Sequence, residues 1–247
     1  PSGDSGEGTS KQNLELPSAQ YELFRAVQAG NPNTAVVLFT GRPLVLTALS
    51  KECSALLNVW QPGTEGGPAI ANLLFGEAEP EGRLTMSFPA ATGQCPIHYN
   101  HMNTGRPRAD DLHRYGYCSS YIDGPNEPLY PFGYGLGYTE FKYTDLSLSS
   151  DSMSSGDTLT ASVTVTNTGS RAGTETVQLY LRDLVGSVVR PVKELKGFCK
   201  VTLAPGEKQT VSFEISEEML KFMRADMTFG TEPGEFRVFI GHSSACT

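Results

Sequence analysis

The sequence lacks the features that mark several large classes of protein. No apolar run comes near the ~18 residues of a membrane-spanning helix, so no membrane partner is expected. Basic residues are in the minority, with 19 Lys and Arg against 27 Asp and Glu and a net charge of −8. Proteins that grip a phosphate backbone need clustered Lys and Arg, so no nucleic-acid partner is expected either.

Metal-binding and redox motifs are also missing. The cysteines form no CxxC pair, which excludes zinc-knuckle and thioredoxin-like motifs. An odd number of scattered cysteines favours free thiols in a reducing compartment, and one or two disulfides in a secreted form stay open. His98 and His101 form an HxxH pair without an obvious third ligand, so no metal site is predicted, and no cofactor is expected. The five cysteines are Cys53, Cys95, Cys118, Cys199 and Cys246.

The first third of the chain alternates helical and strand patterns. Apolar residues at helical spacing predict a helix over 18–29, and Gly30 ends it. Short continuous apolar runs at 34–39 and 55–60 predict strands that are buried on both faces, as in a parallel sheet. A second helix is predicted over 69–75. These units are too few for a complete sheet, so we expect half of an α/β domain.

A glycine-rich turn, 61–67, joins the second predicted strand to the second predicted helix. Strand, turn and helix in this order can present backbone N–H groups to an anion. The turn contains neither GxGxxG nor GxxxxGK[ST], however, and Glu65 would repel an anion. Phosphate or nucleotide binding is therefore the least favoured of the functional interpretations.

Periodicity is lost between residues 90 and 136. The stretch is rich in glycine, proline, asparagine and aspartate, and its length exceeds that of ordinary loops. Its density of aromatic side chains argues against disorder and favours either a covered linker or a surface on which sugars stack. Its tyrosine and histidine residues up to Tyr130 are His98, Tyr99, His101, His113, Tyr115, Tyr117, Tyr121 and Tyr130.

From Tyr138 onward the pattern changes to a period of two. Apolar and polar residues alternate over 159–166 and 177–182, and turn-forming residues separate these runs from further strands. Short alternating strands of this kind predict an antiparallel β-sandwich. The Cys…Trp…Cys pattern of antibody domains is absent, which favours the fibronectin type III type. The further strands are predicted over 198–202, 209–215 and 235–240.

Several motifs, in the same order along the chain, resemble family 3 glycoside hydrolases. The bacterial β-glucosidases of that family share an Asn-Thr-Gly-Arg-Pro linker, which stands here at 103–107. The resemblance covers nearly the whole chain, and the length of the motifs makes it specific. The motifs that carry it are WQPGTEGG at 60–67, AIANLLFG at 69–76, PEGRLTMSFP at 80–89, LYPFGYGLGY at 129–138 and RPVKELKGF at 190–198.

The resemblance implies an α/β plus all-β chain in three parts. Residues 1–92 would be the C-terminal half of the family's α/β sandwich domain, 93–137 a long linker, and 138–247 a fibronectin type III-like β-sandwich. An upstream (β/α)8 barrel would supply the aspartate nucleophile and is missing from this chain, as is any targeting signal. The chain is therefore expected to be a fragment, inactive alone, whose partner is that N-terminal barrel portion.

The resemblance also assigns residues to the chemistry. It implies a retaining β-glucosidase that hydrolyses terminal β-linked glucosyl residues of β-glucosides or oligosaccharides. The stretch Gly3–Lys11 is similar to the family's acid/base loop, which gives Glu7 that role, although Lys11 stands where relatives often have arginine. Arg106 is the candidate substrate-binding residue, at the leaving group and across a homodimer, and a salt bridge within its loop is the alternative role for this residue.

Two other interpretations stay open. By composition alone, Gly3–Lys11 resembles a mobile terminus, since small polar residues are common there. The whole chain could also be a non-catalytic carbohydrate-binding or interaction fragment in which the β-sandwich is the working part. In either case a half-sheet exposes an edge and an apolar face, so self-association or association with a complementary fragment is expected.

Overall fold

A computed structural model describes residues 6–106 and 118–247. The described residues form two compact units, and the chain passes between them several times. The first unit contains those of 1–78, 86–97 and 121–131, and the second contains those of 79–85, 98–120 and 132–247. Among the described residues, no helix has both the length and the apolar character that crossing a membrane requires.

The first unit is built from short helices around a two-stranded parallel sheet. Strands β1 and β2 pair in parallel, from Ala35 opposite Ala55 to Leu38 opposite Asn58, so the predicted parallel pairing is confirmed. The elements are α1 (Ser18–Gly30), β1 (Ala35–Leu38), α2 (Thr47–Glu52), β2 (Ala55–Asn58) and α3 (Gly66–Phe75), followed by one turn of 3-10 helix (Thr92–Gln94).

The expectation that both strands are buried on both faces is wrong. Leu38 is the one buried residue of the two strands, and Ala35 and Ala55 are exposed. The physical reason is that the described residues supply no third strand to this sheet. As expected of a half-sheet, large apolar side chains of this unit are exposed: Leu23, Val27, Phe39, Leu74 and Phe75.

Two helices differ from the sequence prediction. Helix α2 was not predicted, because its six residues are too few to show a helical period, although Leu49 anchors it as a buried residue. Helix α3 begins at Gly66, three residues before the predicted start, because a proline such as Pro68 is tolerated in the first turn. Gly66 is required there, since a Cβ atom would lie 2.7 Å from the Cγ atom of Pro62.

Part of the long linker is packed within the first unit. Backbone atoms of Phe88 and Tyr130 form an isolated antiparallel bridge, and their rings lie 6.2 Å apart. Gln94 is buried, and its side-chain amide donates to the carbonyls of Pro125 and Glu127. Tyr121 donates its hydroxyl to the Gly93 carbonyl at 3.0 Å. The covered-linker interpretation therefore holds for Gln94 and Tyr130, whereas Tyr121 is 45% exposed despite its hydrogen bond.

The second unit contains two three-stranded antiparallel sheets, in the orders β10-β5-β6 and β3-β4-β7. Val163 and Val165 of one sheet pack with Val177, Val201 and Leu203 of the other, so the predicted antiparallel sandwich is confirmed. The elements are β3 (Phe141–Leu148), β4 (Thr158–Asn167), β5 (Gly173–Asp183), β6 (Glu194–Leu203), β7 (Lys208–Ser216), α4 (Glu217–Leu220), β8 (Phe222–Met223), β9 (Phe229–Gly230) and β10 (Phe236–Gly241).

Strand β3 was not predicted from the sequence. Its register against β4 shifts between Thr144 and Ser147, and Asp145 there has a φ of 57°. Such a β-bulge breaks the alternation of apolar and polar residues. Because β3 is at the edge of its sheet, the bulge also disfavours pairing with another chain.

Strand β5 is covered on both faces, which explains part of the motif at 129–138. On the face away from the sandwich core, Gln178 donates to the carbonyls of Gly133 (3.1 Å) and His242 (2.8 Å). The hydroxyl of the fully buried Tyr180 donates to Gln178 Oε1 at 2.6 Å. Gly133 has a φ of 80°, and a Cβ atom there would overlap the Gln178 side chain, so this position requires glycine.

Tyr99 of the linker belongs to this covered face. Its ring stacks on Phe132 with centroids 4.2 Å apart and meets Tyr180 edge-on at 6.0 Å. Its hydroxyl accepts the backbone N–H of Leu195 at 3.2 Å. Tyr99 is therefore a packing residue in this chain, not a platform for sugars. His113, Tyr115 and Tyr117 lie outside the described residues.

Candidate active site

The described part of the glycine-rich stretch begins with one tight turn. Thr9 donates its backbone N–H to the Gly6 carbonyl at 3.3 Å and its hydroxyl to the same oxygen at 2.6 Å. Gly6 and Gly8 have φ values of 129° and 71°, a region that favours glycine. A positive φ at the third turn position is typical of a type II turn, so Glu7 occupies the second position.

The Glu7 side chain is exposed to solvent. General acid catalysis by a carboxyl group needs surroundings that hold its proton, such as burial or a neighbouring carboxylate. Glu7 is exposed among the described residues, so burial does not provide surroundings that would hold a proton on its carboxyl group. The geometry therefore presents a carboxylate at the tip of a turn, where another domain could enclose it.

The turn is anchored on the segment that follows β1. Arg42 Nη2 donates to the Thr9 carbonyl at 2.6 Å and to Thr9 Oγ1 at 3.3 Å. A few residues further on, Val45 donates its backbone N–H to the Leu14 carbonyl at 2.9 Å, and Glu15 and Val45 form a parallel bridge. The path of the chain between Thr9 and Glu15 is thus fixed at both ends.

A polar cleft of about 790 Å³ opens beside this anchored segment, lined in part by Lys11, Tyr21 and Arg25. Arg25 makes a two-point ion pair with Glu52, at 3.0 and 2.9 Å, and its guanidinium lies 5.2 Å from the centre of the Tyr21 ring. Loss of solvent around the phenol raises the pKa of Tyr21 above its usual value, so this hydroxyl stays protonated and can donate a hydrogen bond.

Arg106 belongs to the second unit, whereas Glu7 belongs to the first. Its side chain is exposed. Its carbonyl accepts the backbone N–H of Ser119 at 2.8 Å.

Among the described residues, the HxxH pair, the glycine-rich turn at 61–67 and the cysteines do not form a metal site or an anion site. His101 donates its backbone N–H to the His98 carbonyl at 3.2 Å, and both rings are exposed. Within 6–106 and 118–247, no group of three or more His, Cys, Asp or Glu is arranged to hold a metal ion. Glu65 stands exposed directly before helix α3, where its charge disfavours an anion. All five cysteines are free thiols.

No role for Arg42 was predicted from the sequence. A signal for it was present, because Arg42 lies in the segment beyond the carboxyl end of β1, which ends at Leu38 and belongs to a parallel sheet. Functional groups in α/β folds gather outside the carboxyl ends of such strands. The sequence did not indicate that Arg42 contacts Thr9, because the two residues lie 33 positions apart.

Two family models match this chain. The model of the glycosyl hydrolase family 3 C-terminal domain matches residues 1–138, and the model of a fibronectin type III-like domain matches residues 175–244. The chain therefore belongs to glycosyl hydrolase family 3. The resemblance found in the sequence motifs is confirmed, and so are the predicted α/β and β-sandwich fold types.

Similar proteins are glycosidases that are much longer than this chain. A periplasmic β-glucosidase of Salmonella typhimurium is 49% identical over 239 residues, which cover 97% of this chain and 31% of that protein. A β-xylosidase of Formosa agariphila is 40% identical over 97% of this chain and 32% of its own length. The crystal structure of a Listeria innocua β-glucosidase in complex with isofagomine is 45% identical, with a TM-score of 0.93, over 98% of this chain and 34% of that one. The chain thus spans about a third of the length of the relatives it matches.

Proposed function

We propose that this chain is part of a retaining β-glucosidase that removes terminal β-linked glucosyl residues, and that Glu7 is its acid/base residue. One observation carries the proposal: an exposed glutamate at the tip of an anchored glycine turn, in a chain of family 3. The nucleophile would lie on an N-terminal barrel portion that this chain does not contain.

The chemistry requires two carboxyl groups. A retaining glycosidase needs them about 5–5.5 Å apart, one as nucleophile and the other as acid and then base. Glu7 would protonate the leaving oxygen in the first step and take a proton from water in the second. Enclosure by the barrel and proximity to the nucleophile would each favour the protonated carboxyl group. The small residues around Glu7 would allow it to enter a pocket built by another domain.

The proposed organisation follows the same family pattern. Residues 1–92 would be the C-terminal half of an α/β sandwich domain, 93–137 a long linker and 138–247 the fibronectin type III-like domain. The half-sheet would be completed by the missing portion. The exposed Leu23, Val27 and Phe39 of the first unit support this, since apolar patches of this kind mark surfaces that another chain segment covers.

A chimera tests the proposed function. This chain would replace the matching third of the Listeria innocua enzyme, so that barrel and Glu7 come together in one polypeptide. The chimera is expected to hydrolyse p-nitrophenyl β-glucoside, whereas this chain alone and the truncated barrel alone are not. A folded chimera that is inactive on β-glucosides and β-xylosides would contradict the proposal. If the chain alone then bound oligosaccharides, the non-catalytic carbohydrate-binding interpretation would replace it.

Arg106 is the proposed contact to the leaving group, across the interface of a homodimer. In the chimera, Arg106→Ala is expected to raise KM by different factors for different aglycones, because a contact to the leaving group depends on its structure. Measuring KM for aryl, alkyl and glucosyl aglycones checks this. The same factor for all aglycones would be evidence against the assignment, and a chimera that sediments as a monomer would exclude the homodimer.

Self-association is expected of the chain on its own. Its exposed apolar side chains in the first unit favour contact between copies, so sedimentation should show a mass that rises with concentration. The double variant Leu23→Gln/Val27→Gln should reduce this effect. Phe198→Gln, which changes an exposed residue of the second unit, serves as the matched control. A single monomeric species at every concentration would show the expectation to be wrong.

A further inference from the structure

We infer that Arg42 is a positioning residue for Glu7 and acts through the turn that carries this carboxylate; the inference rests on the acid/base role proposed above. Arg42 Nη2 donates to both the carbonyl and the hydroxyl oxygen of Thr9, at 2.6 and 3.3 Å. Thr9 in turn donates twice to the Gly6 carbonyl and so closes the turn. The guanidinium group of Arg42 thus binds Thr9, the residue that closes the turn on which Glu7 lies.

The turn needs such a hold because of its composition. Gly6 and Gly8 lack side chains, and a Cβ atom added at either would meet no described atom within 4 Å. Glycine backbones have more conformational freedom than any others, and no side chain in the described part of the chain restrains these two by packing. Hydrogen bonds from outside the turn, such as those of Arg42, therefore help to fix it.

Arg42 is itself well fixed. Thr40 is buried, at 9% exposure, and its hydroxyl accepts the Arg42 backbone N–H at 3.2 Å and donates to the Arg42 carbonyl at 2.7 Å. These bonds tie Arg42 to the end of β1. Both hydrogen bonds to Thr9 come from the same guanidinium nitrogen, Nη2, so Arg42 links the segment after β1 to the turn through a single donor group.

Loss of the Arg42 contacts should change how the rate of the reaction depends on the leaving group. A general acid must be close to the leaving oxygen, and a displacement of about 1 Å can cost roughly 10²-fold in rate. Leaving groups that depart as stable anions need no proton from the enzyme. In the first step, which kcat/KM reports, a misplaced Glu7 would therefore slow poor leaving groups and spare good ones, whereas a general loss of folded protein would lower kcat/KM equally for all of them.

The test is a leaving-group series on the chimera. Arg42→Met is expected to lower kcat/KM for an alkyl β-glucoside by about 10- to 100-fold, and to change kcat/KM for dinitrophenyl β-glucoside by no more than a few-fold, because kcat/KM reports the first step, in which Glu7 acts as the acid. Arg42→Lys, which keeps one donor, should recover part of the loss. Thr9→Val keeps the carbonyl contact and removes the hydroxyl. It should give a smaller loss in kcat/KM, with the same dependence on the leaving group. Lys51→Met removes an exposed cation elsewhere in the first unit and should match the parent.

A second readout needs no activity. In the unmodified chain, trypsin should cleave slowly after Lys11 if Arg42 holds the turn, and faster in Arg42→Met. Equal losses in kcat/KM for all leaving groups would overturn the inference. So would unchanged kcat/KM values together with an unchanged rate of tryptic cleavage after Lys11. Should Arg42→Met fail to fold, Thr9→Val decides by the same criteria. If Glu7→Ala itself showed no dependence on the leaving group, the proposed function would fail, and that outcome is distinct from failure of Arg42 alone.

Discussion

Replacing Glu7 by alanine in the chimera should lower turnover of β-glucosides with poor leaving groups by about 10²–10⁴-fold, the usual contribution of general acid–base catalysis. The loss arises because the glycosidic oxygen leaves as an alkoxide when nothing protonates it. Dinitrophenyl β-glucoside should suffer far less in the first step, because its leaving group is stable as an anion. A plot of log kcat/KM against the leaving-group pKa should therefore become steeper.

The matched control is Glu65→Ala. Glu65 is also an exposed glutamate next to glycines in the first unit, but the proposal gives it no chemical role. Its replacement should leave the leaving-group series unchanged. Equal effects of the two variants, or unchanged activity of Glu7→Ala on natural glucosides, would show that Glu7 is not the acid/base residue.

The largest stability effect is expected from Arg83, in the motif at 80–89. Its guanidinium lies 3.0 Å from the Glu175 carboxylate, and the two side chains are only 9% and 7% exposed. Arg83→Met would leave a buried, unpaired carboxylate, which typically costs about 3–5 kcal/mol. Urea unfolding of the chain at neutral pH, followed by the circular dichroism of the β-sandwich, measures this loss in the free energy of unfolding.

The second unit offers a control at the same distance. Lys200 and Glu81 also lie 3.0 Å apart, but their side chains are 52% and 45% exposed. Lys200→Met should cost no more than about 1 kcal/mol. The double variant Arg83→Met/Glu175→Met should recover much of the loss, since no charge then remains unpaired. Equal losses for Arg83→Met and Lys200→Met would refute the burial argument.

These contacts explain why the segment 79–85 belongs to the second unit. Beside Arg83, the carboxylate of Glu79 accepts the backbone N–H groups of Tyr138 at 3.1 Å and Thr174 at 2.9 Å. A Cβ atom at Gly173 would lie 2.6 Å from Glu79 Oε2. The segment is therefore tied to the start of β5 by the buried Arg83–Glu175 pair and by the less buried hydrogen bonds of Glu79.

The sequence predicted what is encoded locally. Alternation at period two identified β4 and β5, and helical spacing around Phe24 identified α1, because these patterns depend only on neighbours in the chain. The ordered motifs identified the family. Helix α2 and strand β3 were missed for local reasons too, since one is too short for a period and a bulge at Asp145 interrupts the other.

Contacts between distant residues could not be predicted in this way. Arg83 and Glu175 are 92 positions apart, and Arg42 and Thr9 are 33 apart. No periodic pattern relates such pairs. The apolar runs of β1 and β2 predicted burial on both faces, which is wrong, because an apolar run specifies what a strand tends to bury; the exposure was expected only from the small number of units, which is too few for a complete sheet. Likewise, the motifs suggested Glu7 as the acid/base residue proposed here but gave no indication of Arg42, which contacts its turn.

The most direct measurement concerns the stereochemistry of rescue by azide. In a retaining enzyme, the glycosyl-enzyme intermediate is attacked from the face where the leaving group departed, and azide needs no general base. The Glu7→Ala chimera, given dinitrophenyl β-glucoside and sodium azide, is therefore expected to regain turnover and to produce β-glucosyl azide, identified by proton NMR. Formation of α-glucosyl azide would mean that Glu7 is the nucleophile, and no rescue at all would contradict its role as the acid/base residue.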